Sequence, residues 1–265
     1  MRALRYGCVG NDVRYLQYLL NEATPDIPPI EIDGHFGGLT KQRVEVYQKR
    51  RKLEADGSVG PITQKSLNLS EYMVFILNPS KCKIWVAGTP YGSESYPLRT
   101  LKQWAQLEKA DLVFNLALFN IKGVGRDQYG PIKGRTITYC RGKGKDIGYG
   151  GTAEKVRINS DNVFAGAKVA ISNGYTKSVL TSDKRARNAN GVLKDGSIFV
   201  VQTLSKVTEY QLMRYMYLNY NVDLMLIQDA GGSTGFYATK YDSLIACEKE
   251  GKNGRPVATT LCVSK

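Results

Sequence analysis

The stretch Leu224-Met225-Leu226-Ile227-Gln228-Asp229-Ala230-Gly231-Gly232-Ser233-Thr234 decides how the larger part of this chain is interpreted. Its first four residues are apolar and have the length of a buried strand. A single carboxylate, two glycines and two hydroxyls follow, so an acid stands at the carboxyl end of the predicted strand, beside glycines that permit a tight turn. In α/β sheets that end is where ligands usually bind. The plainer interpretation is a strand followed by a glycine turn that Asp229 caps.

The composition fits a folded protein with two modest domains or one large domain. The chain has 265 residues, of which 42% are hydrophobic, and this is enough for a packed core. No apolar run approaches the roughly 18 residues that a membrane-spanning helix needs, so we expect no membrane insertion. The first residues, Met1 to Gly7, contain no apolar leader, which predicts synthesis in the cytoplasm without a signal peptide.

The chain is strongly basic, with a formal net charge of +13. Such a charge attracts polyanions, so nucleic acid and an anionic bacterial wall are both candidate partners, and solubility alone is the plainer explanation. We expect no nucleic-acid partner, because no basic helix or aromatic platform of the known kinds occurs. Basic residues are concentrated at positions 49–52, 141–145 and 184–187.

The cysteines and the single histidine limit the possible chemistry. Five cysteines at wide spacings, without a C-x-x-C motif, are typical of free thiols in a reducing compartment. His35 is the only histidine, which excludes a Ser-His-Asp or Cys-His nucleophile system and a histidine-ligated zinc site in the later part of the chain. We expect no cofactor and find no metal motif, although the glycine turn could hold a divalent ion through carbonyl oxygens.

An internal repeat marks the first 70 residues. Residues 33–40 (DGHFGGLT) and residues 56–63 (DGSVGPIT) share the pattern D-G-x-[FV]-G-x-x-T. Asp-Gly favours a tight turn, and Thr40 and Thr63 stand where they would cap the N-termini of helices. Apolar residues at helical spacing before and between the repeats predict a small three-helix domain over residues 1–70.

These residues resemble the peptidoglycan-binding domain type 1 family, in which a first helix containing Leu-Gln precedes two such repeats. Here the helix contains Leu16-Gln17, and Tyr47-Gln48 stands where the family has Phe-Gln. Arg43 replaces the family's usual Ala, and residues 24–29 form a proline-rich insert. The resemblance implies a non-catalytic module whose partner is bacterial peptidoglycan or an anionic wall polymer. The plainer role of the repeat is to hold the three-helix fold.

From residue 71 the sequence becomes strand-like. Tyr72–Leu77 and Lys83–Ala87 predict two strands of a hairpin. Thr208 is placed to cap a later helix. Further strands are predicted at 111–117, 136–139, 163–171 and 197–201, and a further helix at 98–107. Many strands with few helices predict an α+β domain over residues 71–265 around a mixed sheet.

Four stretches of this domain resemble the phosphodiester glycosidase family. They are residues 114–119 (FNLALF), 130–134 (GPIKG), 187–196 (RNANG followed by KDG) and 229–233 (DAGGS). The family has N-G-G-[YF]-F in the first stretch and D-G-G-G-S in the last, so Leu116 and Ala230 depart from its pattern. The resemblance implies a catalytic domain that cleaves a glycosidic bond next to a phosphate.

The candidate site combines this resemblance with the chemistry that glycosidic cleavage needs. Asp229 is the candidate base or nucleophile, and Arg187 is the candidate grip for phosphate or carboxylate oxygens. Asn115 completes the catalytic set as a hydrogen-bond partner for an N-acetyl group or a hydroxyl. The substrate-binding candidates are Gly231, Gly232, Ser233, Thr234 and Asn190.

Each candidate also has a structural alternative. Arg187 could instead form an ion pair with Asp229, and Asn115 could cap a strand end. A mechanism with a carboxylate pair would need a second acid. The loops offer four that the sequence does not rank: Asp127, Asp146, Asp161 and Asp183.

Together the two domains predict a cell-wall hydrolase that resembles a phage or prophage endolysin. It would cleave a glycan bond in peptidoglycan or a sugar phosphodiester in a wall polymer, after release from the host cytoplasm. The alternative is a non-catalytic wall-binding protein with a degenerate glycosidase domain, which the substitutions at Leu116 and Ala230 suggest. The sequence does not predict an oligomeric state.

Overall fold

The computed structural model describes residues 1–88, 97–116, 137–142, 145–148, 162–166, 168–172, 175–176, 180–228, 230–246 and 254–264. The chain divides into two compact units, Met1–Met73 and Val74–Lys265. Helices build the first unit, and antiparallel sheets with two further helices build the second. The predicted α+β class, with a small three-helix domain before a larger α+β domain, is confirmed.

The first unit contains helices α1 (Asn11–Ala23), α2 (Gly38–Arg50) and α3 (Pro61–Leu67). Isolated bridges join Leu4 to Val59 and Val9 to His35. The apolar faces that helical spacing predicts are buried, and they form a core of Leu4, Val13, Leu16, Leu20, Phe36, Val44, Tyr47 and Val59. This unit therefore has its own hydrophobic centre.

A buried glutamine holds each copy of the repeat. Gln17 Nε2 donates to Asp33 Oδ1 at 2.7 Å, to Thr40 Oγ1 at 3.1 Å and to the His35 carbonyl at 3.1 Å, while Gln17 Oε1 accepts from the Gly34 N–H at 2.9 Å. Gln48 repeats these four bonds with Asp56, Thr63, the Ser58 carbonyl and the Gly57 N–H, at 2.9, 3.2, 2.8 and 3.0 Å. We call these two arrangements the glutamine knots.

The prediction that Thr40 and Thr63 are helix N-caps is wrong. Helices α2 and α3 begin after Gly37 and Gly60, and neither glycine has a side chain that could cap them. The two threonines lie inside the first turn with buried hydroxyls that accept hydrogen bonds from the glutamine amides. The Asp-Gly turn places each threonine hydroxyl next to the glutamine side chain of the preceding helix. The threonine of each repeat therefore makes a tertiary contact and does not cap its own helix.

The second unit contains fourteen strands and two α-helices among the described residues, with β1 beginning at its border. The strands are β1 (Tyr72–Leu77), β2 (Lys83–Gly88), β3 (Leu112–Asn115), β4 (Ile137–Gly142), β5 (Lys145–Gly148), β6 (Asn162–Gly166), β7 (Lys168–Ser172), β8 (Tyr175–Thr176), β9 (Asn188–Leu193), β10 (Ile198–Thr203), β11 (Val222–Ile227), β12 (Gly235–Ala238), β13 (Ser243–Ala246) and β14 (Thr259–Ser264). The helices are α4 (Leu101–Glu108) and α5 (Glu209–Asn219), with a short 3-10 helix at Thr239–Tyr241.

These strands form three sheets. The six-stranded sheet has the order β1-β10-β9-β11-β7-β8, the five-stranded sheet has the order β13-β12-β3-β14-β2, and β4 lies between β5 and β6 in the third. Every pairing with a described register is antiparallel. The Phe75, Phe114 and Phe236 rings pack together with centroids 4.8 to 5.7 Å apart.

Two strand predictions are wrong. Tyr72–Leu77 and Lys83–Gly88 do not form a hairpin, because β1 joins β10 and β2 pairs with β14 over six residue pairs. The single strand predicted at 163–171 is two strands, β6 and β7, which lie in different sheets. In both cases a partner far along the chain decides the pairing, and local sequence does not contain that information.

The two helices of the second unit begin with capping boxes. Thr208 and Gln211 bond each other's backbone at the start of α5, as the prediction for Thr208 requires, and Thr100 and Gln103 do the same for α4. Trp104 is buried and its Nε1 donates to the Val257 carbonyl at 2.9 Å. Leu107, three residues later on the same helix, is 56% exposed.

Candidate functional site

Five buried amide side chains lie where the six-stranded sheet meets β3. They are Asn115, Asn188, Asn190, Gln202 and Gln228, each at most 3% exposed, and we call them the amide cluster. Gln202 is paired with Asn188 in the register of β10 and β9, and the Gln228 N–H donates to the Asn188 carbonyl at 2.8 Å. One row of amides therefore crosses three neighbouring strands, with Asn190 two residues further on the same face.

The cluster joins the two large sheets. Asn188 Nδ2 donates to the Asn115 carbonyl at 2.7 Å and to Asn115 Oδ1 at 3.1 Å. Gln202 Nε2 donates to Asn115 Oδ1 at 3.1 Å and to the Gly235 carbonyl at 2.9 Å. Gln228 Nε2 donates to Asn190 Oδ1 at 2.6 Å. Asn115 is thus the point at which β3 contacts β9 and β10.

Five polar atoms of the cluster are buried and have no hydrogen-bond partner among the described residues: Asn115 Nδ2, Asn188 Oδ1, Asn190 Nδ2, Gln202 Oε1 and Gln228 Oε1. The backbone partners of Asn115, Asn188 and Gln202 fix which end of each amide is nitrogen. Buried polar groups are normally satisfied. The cluster can therefore supply uncharged donors and acceptors to water or to a polar ligand.

The glycine turn after β11 packs against the residue before Arg187. The Gly231 N–H donates to the Ala186 carbonyl at 2.9 Å, and Thr234 Oγ1 donates to the same carbonyl at 3.5 Å. Gly231 has a φ of +81°, and no atom lies within 4 Å of the place a Cβ would occupy, so backbone conformation selects glycine here. Ser233 and Thr234 are buried.

Asp229, the central candidate, lies outside the described residues, as do Asp127 and Asp161. The side chain of Asp146 on β5 is also outside them. The site therefore has its amides, hydroxyls and turn in place, while the role of Asp229 stays a prediction.

Arg187 is placed differently from the expectation that it grips a ligand. Its guanidinium is buried and donates to the Val207 carbonyl at 3.2 Å, to Glu209 Oε1 at 3.2 Å, to the Asp183 carbonyl and Oδ1 at 2.7 and 3.0 Å, and to Thr181 Oγ1 at 3.4 Å. The Arg187 and Asn188 side chains leave the chain on opposite faces, because neighbouring residues of extended backbone alternate. Arg187 and the amide cluster thus do not line one surface.

Asp183, a candidate for the second acid, is committed to basic partners. Its carboxylate contacts Arg185 at 2.6 Å and Arg187 at 3.0 Å. A hydrogen bond from Thr181, with those from the two arginines, lowers the pKa of Asp183 to about 2. A general acid for a sugar leaving group needs a raised pKa, so Asp183 does not suit that role.

Two of the predicted site residues, Asn115 and Asn190, belong to the amide cluster, and its other members, Asn188, Gln202 and Gln228, were missed by sequence reasoning. The alternation N-A-N at 188–190 and Gln202 directly after four apolar residues of β10 were the available signals. The argument from the carboxyl ends of parallel strands does not apply, because β11 pairs antiparallel with both β7 and β9.

Residues 9–67 match the family model described as "Putative peptidoglycan binding domain". The resemblance predicted for the first unit is confirmed. A relative from Bacillus licheniformis, named "Probable N-acetylmuramoyl-L-alanine amidase", is 37% identical over 68 residues, which are 26% of this chain and 19% of that protein. The chain thus spans less than a fifth of that relative.

Two solved structures share the fold of most of this chain. The catalytic domain of zebrafish N-acetylglucosamine-1-phosphodiester alpha-N-acetylglucosaminidase, auto-inhibited by its pro-peptide, aligns with a TM-score of 0.50 and 15% identity over 74% of this chain and 83% of that one. A hypothetical protein from Synechocystis aligns with a TM-score of 0.50 and 11% identity over 72% and 58%. At these identities the likeness concerns the fold.

The described residues contain neither a candidate membrane span nor a candidate metal-binding cluster. None of their helices combines the length and apolar composition that crossing a membrane requires. Nor does this part of the chain group three or more His, Cys, Asp or Glu side chains where they could hold a metal ion.

Proposed function

We propose that this protein is a cell-wall hydrolase that cleaves a glycosidic bond in a bacterial wall polymer. The observation that carries the proposal is the pairing, in one chain, of a unit that matches the peptidoglycan-binding model with a unit that shares the fold of a glycosidase domain. Linking a binding unit to a catalytic unit raises the local concentration of the enzyme at its substrate.

The described part of the site supports sugar chemistry. The amide cluster offers uncharged donors and acceptors of the kind that sugar hydroxyls and acetamido groups match. Asp229 directly follows Gln228 of the cluster and would act as base or nucleophile. The Gly231 N–H and Thr234 Oγ1 already donate to the Ala186 carbonyl, so Gly232 is the residue of the turn whose N–H would donate to a substrate oxygen.

The bond is either a glycan bond in peptidoglycan or a sugar phosphodiester in a wall polymer. The binding unit favours the first, and the phosphodiester substrate in the zebrafish enzyme's name favours the second. We further propose a lysin of phage or prophage origin that reaches the wall after release from the host cytoplasm, on the basis of the domain pairing and the net charge of +13.

A second candidate function is a wall-binding protein without activity. The specific observation in its favour is that Arg187 is fully engaged by Glu209, Asp183 and Val207, which leaves its guanidinium without an open side for substrate.

Digestion of purified Gram-positive walls, with and without their anionic polymer, tests both candidates. The wild type and Asp223→Asn, a matched change on β11 itself, should release products that mass spectrometry identifies, and Asp229→Asn should release none. New reducing ends from stripped walls would identify a glycan bond, whereas sugar or sugar phosphate released only from unstripped walls would identify the phosphodiester. Walls that are bound by the wild type but not cleaved would establish the inactive binding protein.

A further inference from the structure

A buried ion pair connects the loop before β9 to the start of α5. The Arg187 and Glu209 side chains are 4% and 7% exposed, and their Nη1 and Oε1 atoms are 3.2 Å apart. The other carboxylate oxygen of Glu209 accepts from the Thr181 N–H at 2.8 Å. Glu209 therefore holds the two ends of the segment from Thr181 to Arg187.

Arg187 uses three nitrogens to close the same segment. Nη2 reaches back to the Asp183 carbonyl and carboxylate, and Nε reaches forward to the Val207 carbonyl. The backbone of Arg185 pairs with Val207 in both directions, at 3.1 and 2.9 Å. A planar guanidinium that satisfies acceptors on two sides fixes their relative position more strictly than a flexible ammonium can.

The peptide group between Ala186 and Arg187 links the segment that Arg187 holds in place to the glycine turn. Its N–H donates to Thr203 Oγ1 at 2.9 Å, at the end of β10. Its carbonyl accepts from the Gly231 N–H at 2.9 Å and from Thr234 Oγ1. One peptide plane thus lies between β10 and the turn that holds the predicted substrate-binding residues.

We propose that Arg187 is a positioning residue, which with Glu209 sets the Gly231–Thr234 turn through the Ala186 carbonyl and does not touch the substrate. This rests on the proposed function, because the turn is part of the proposed site. Arg187 was expected to bind a phosphate, but each of its three guanidinium nitrogens donates to a protein acceptor. Its role is therefore to hold neighbouring residues in position.

The first test measures the turn without any substrate. In the full chain, amide hydrogen exchange followed by NMR should show that the Gly231 N–H exchanges at least about tenfold faster in Arg187→Lys and in Glu209→Gln, because a buried charge-assisted bond has been lost. The Val201 N–H in β10 serves as the internal reference. Glu209→Gln changes no volume and keeps the test valid if Arg187→Lys does not fold.

Arg185→Lys is the matched control, because Arg185 is in the same segment, is 63% exposed and pairs with the same Asp183. Its Gly231 exchange should stay at the wild-type rate. Unchanged Gly231 exchange in both Arg187→Lys and Glu209→Gln would overturn the proposal, whatever the activity of the protein.

The second test separates positioning from substrate contact in the wall-digestion assay. Arg187→Lys and Glu209→Gln should each lower kcat about tenfold or more and leave KM nearly unchanged. The kcat of the double variant should be no lower than that of the less active single variant, because the two residues act as one unit. If Arg187→Lys raised KM while Glu209→Gln changed neither kcat nor KM, Arg187 would be a residue that contacts the substrate, and the proposal would be overturned. If the wild type cleaved no wall, the proposed function would be refuted. The positioning of the turn by Arg187 would still be decided by the exchange test, which needs no activity.

Discussion

At the scale of single residues, Gly191 lies on β9 where the neighbouring strand β11 leaves no room for a side chain. A Cβ at this position would lie 1.9 Å from the Leu224 carbonyl oxygen and 2.9 Å from a ring carbon of Phe199. The carbonyl belongs to the backbone of β11, beside a shift in the register of the β9–β11 pair, and cannot move without breaking that pair. Glycine is required here by space.

Gly191→Ala should therefore destabilise the second unit by about 3 kcal/mol or more, at the upper end of overpacking costs. Urea denaturation followed by tryptophan fluorescence measures this directly, because both tryptophans, Trp85 and Trp104, lie in that unit. Gly231→Ala is the control: only its positive φ opposes a side chain, so a cost of about 1 kcal/mol is expected. Equal costs for the two variants would contradict the crowding argument.

At the scale of elements, the glutamine knots join helix, turn and helix into one unit. Replacing Gln17 with Met would leave the Gly34 N–H and Asp33 without their buried partner, and each unsatisfied group costs about 1–3 kcal/mol. We expect Gln17→Met and Gln48→Met to lower the stability of the first unit by similar amounts, about 2 kcal/mol or more. Calorimetry of the full chain measures the transition of that unit.

The control for the knots is Gln42→Met on α2, where the glutamine is exposed and the change should be nearly neutral. If only one of the two buried glutamines lowered the stability of the first unit when replaced, the two repeats would be alike in sequence but would not contribute equally to stability.

The elements also show what sequence reasoning can reach. Thr208 as a helix cap, the strand at Tyr72–Leu77 and the strand at the start of the Asp229 stretch depend on neighbours in sequence, and they are confirmed. The partner of β2 is β14, more than 170 residues later, and no local pattern encodes that pairing. Asn115 and Asn190 were found through a family motif, whereas Gln202 carries no motif and became visible only in the register of β9 and β10.

Arg187 illustrates the same limit at the site. Its residue type suggested a side chain that binds phosphate, but its partner Glu209 is 22 residues away in sequence and lies near it because Val207, just before α5, pairs with Arg185. A buried arginine needs a partner, and sequence alone does not tell whether that partner is substrate or protein.

At the scale of the whole molecule, the charge is divided unequally between the two units. Ten of the 37 basic and nine of the 24 acidic residues lie in Met1–Met73, so the remaining 27 basic and 15 acidic residues give Val74–Lys265 a formal charge of +12. The binding unit is nearly neutral. Long-range attraction to an anionic polymer therefore belongs to the second unit.

This division predicts that salt affects turnover more than wall binding. Raising the salt concentration to about 1 M shortens the screening length to roughly 3 Å, which should lower the rate on unstripped walls several-fold while the first unit keeps the protein bound. Sedimentation with walls and product release, measured in the same samples, separate the two effects. The rate on stripped walls should depend little on salt, and an equal dependence on both substrates would contradict the prediction.

The two glutamine knots close chain segments of different length with the same bonds. Gln17 and Asp33 are 16 residues apart, and Gln48 and Asp56 are 8 apart. Doubling a flexible loop adds only about 0.6 kcal/mol of closure entropy, and Arg43 also ties the longer loop through Thr24 and the Pro28 carbonyl. An insertion between the exposed residues Pro28 and Pro29 leaves both Arg43 bonds in place, so a label or a second binding peptide inserted there should cost this small domain little more than closure entropy.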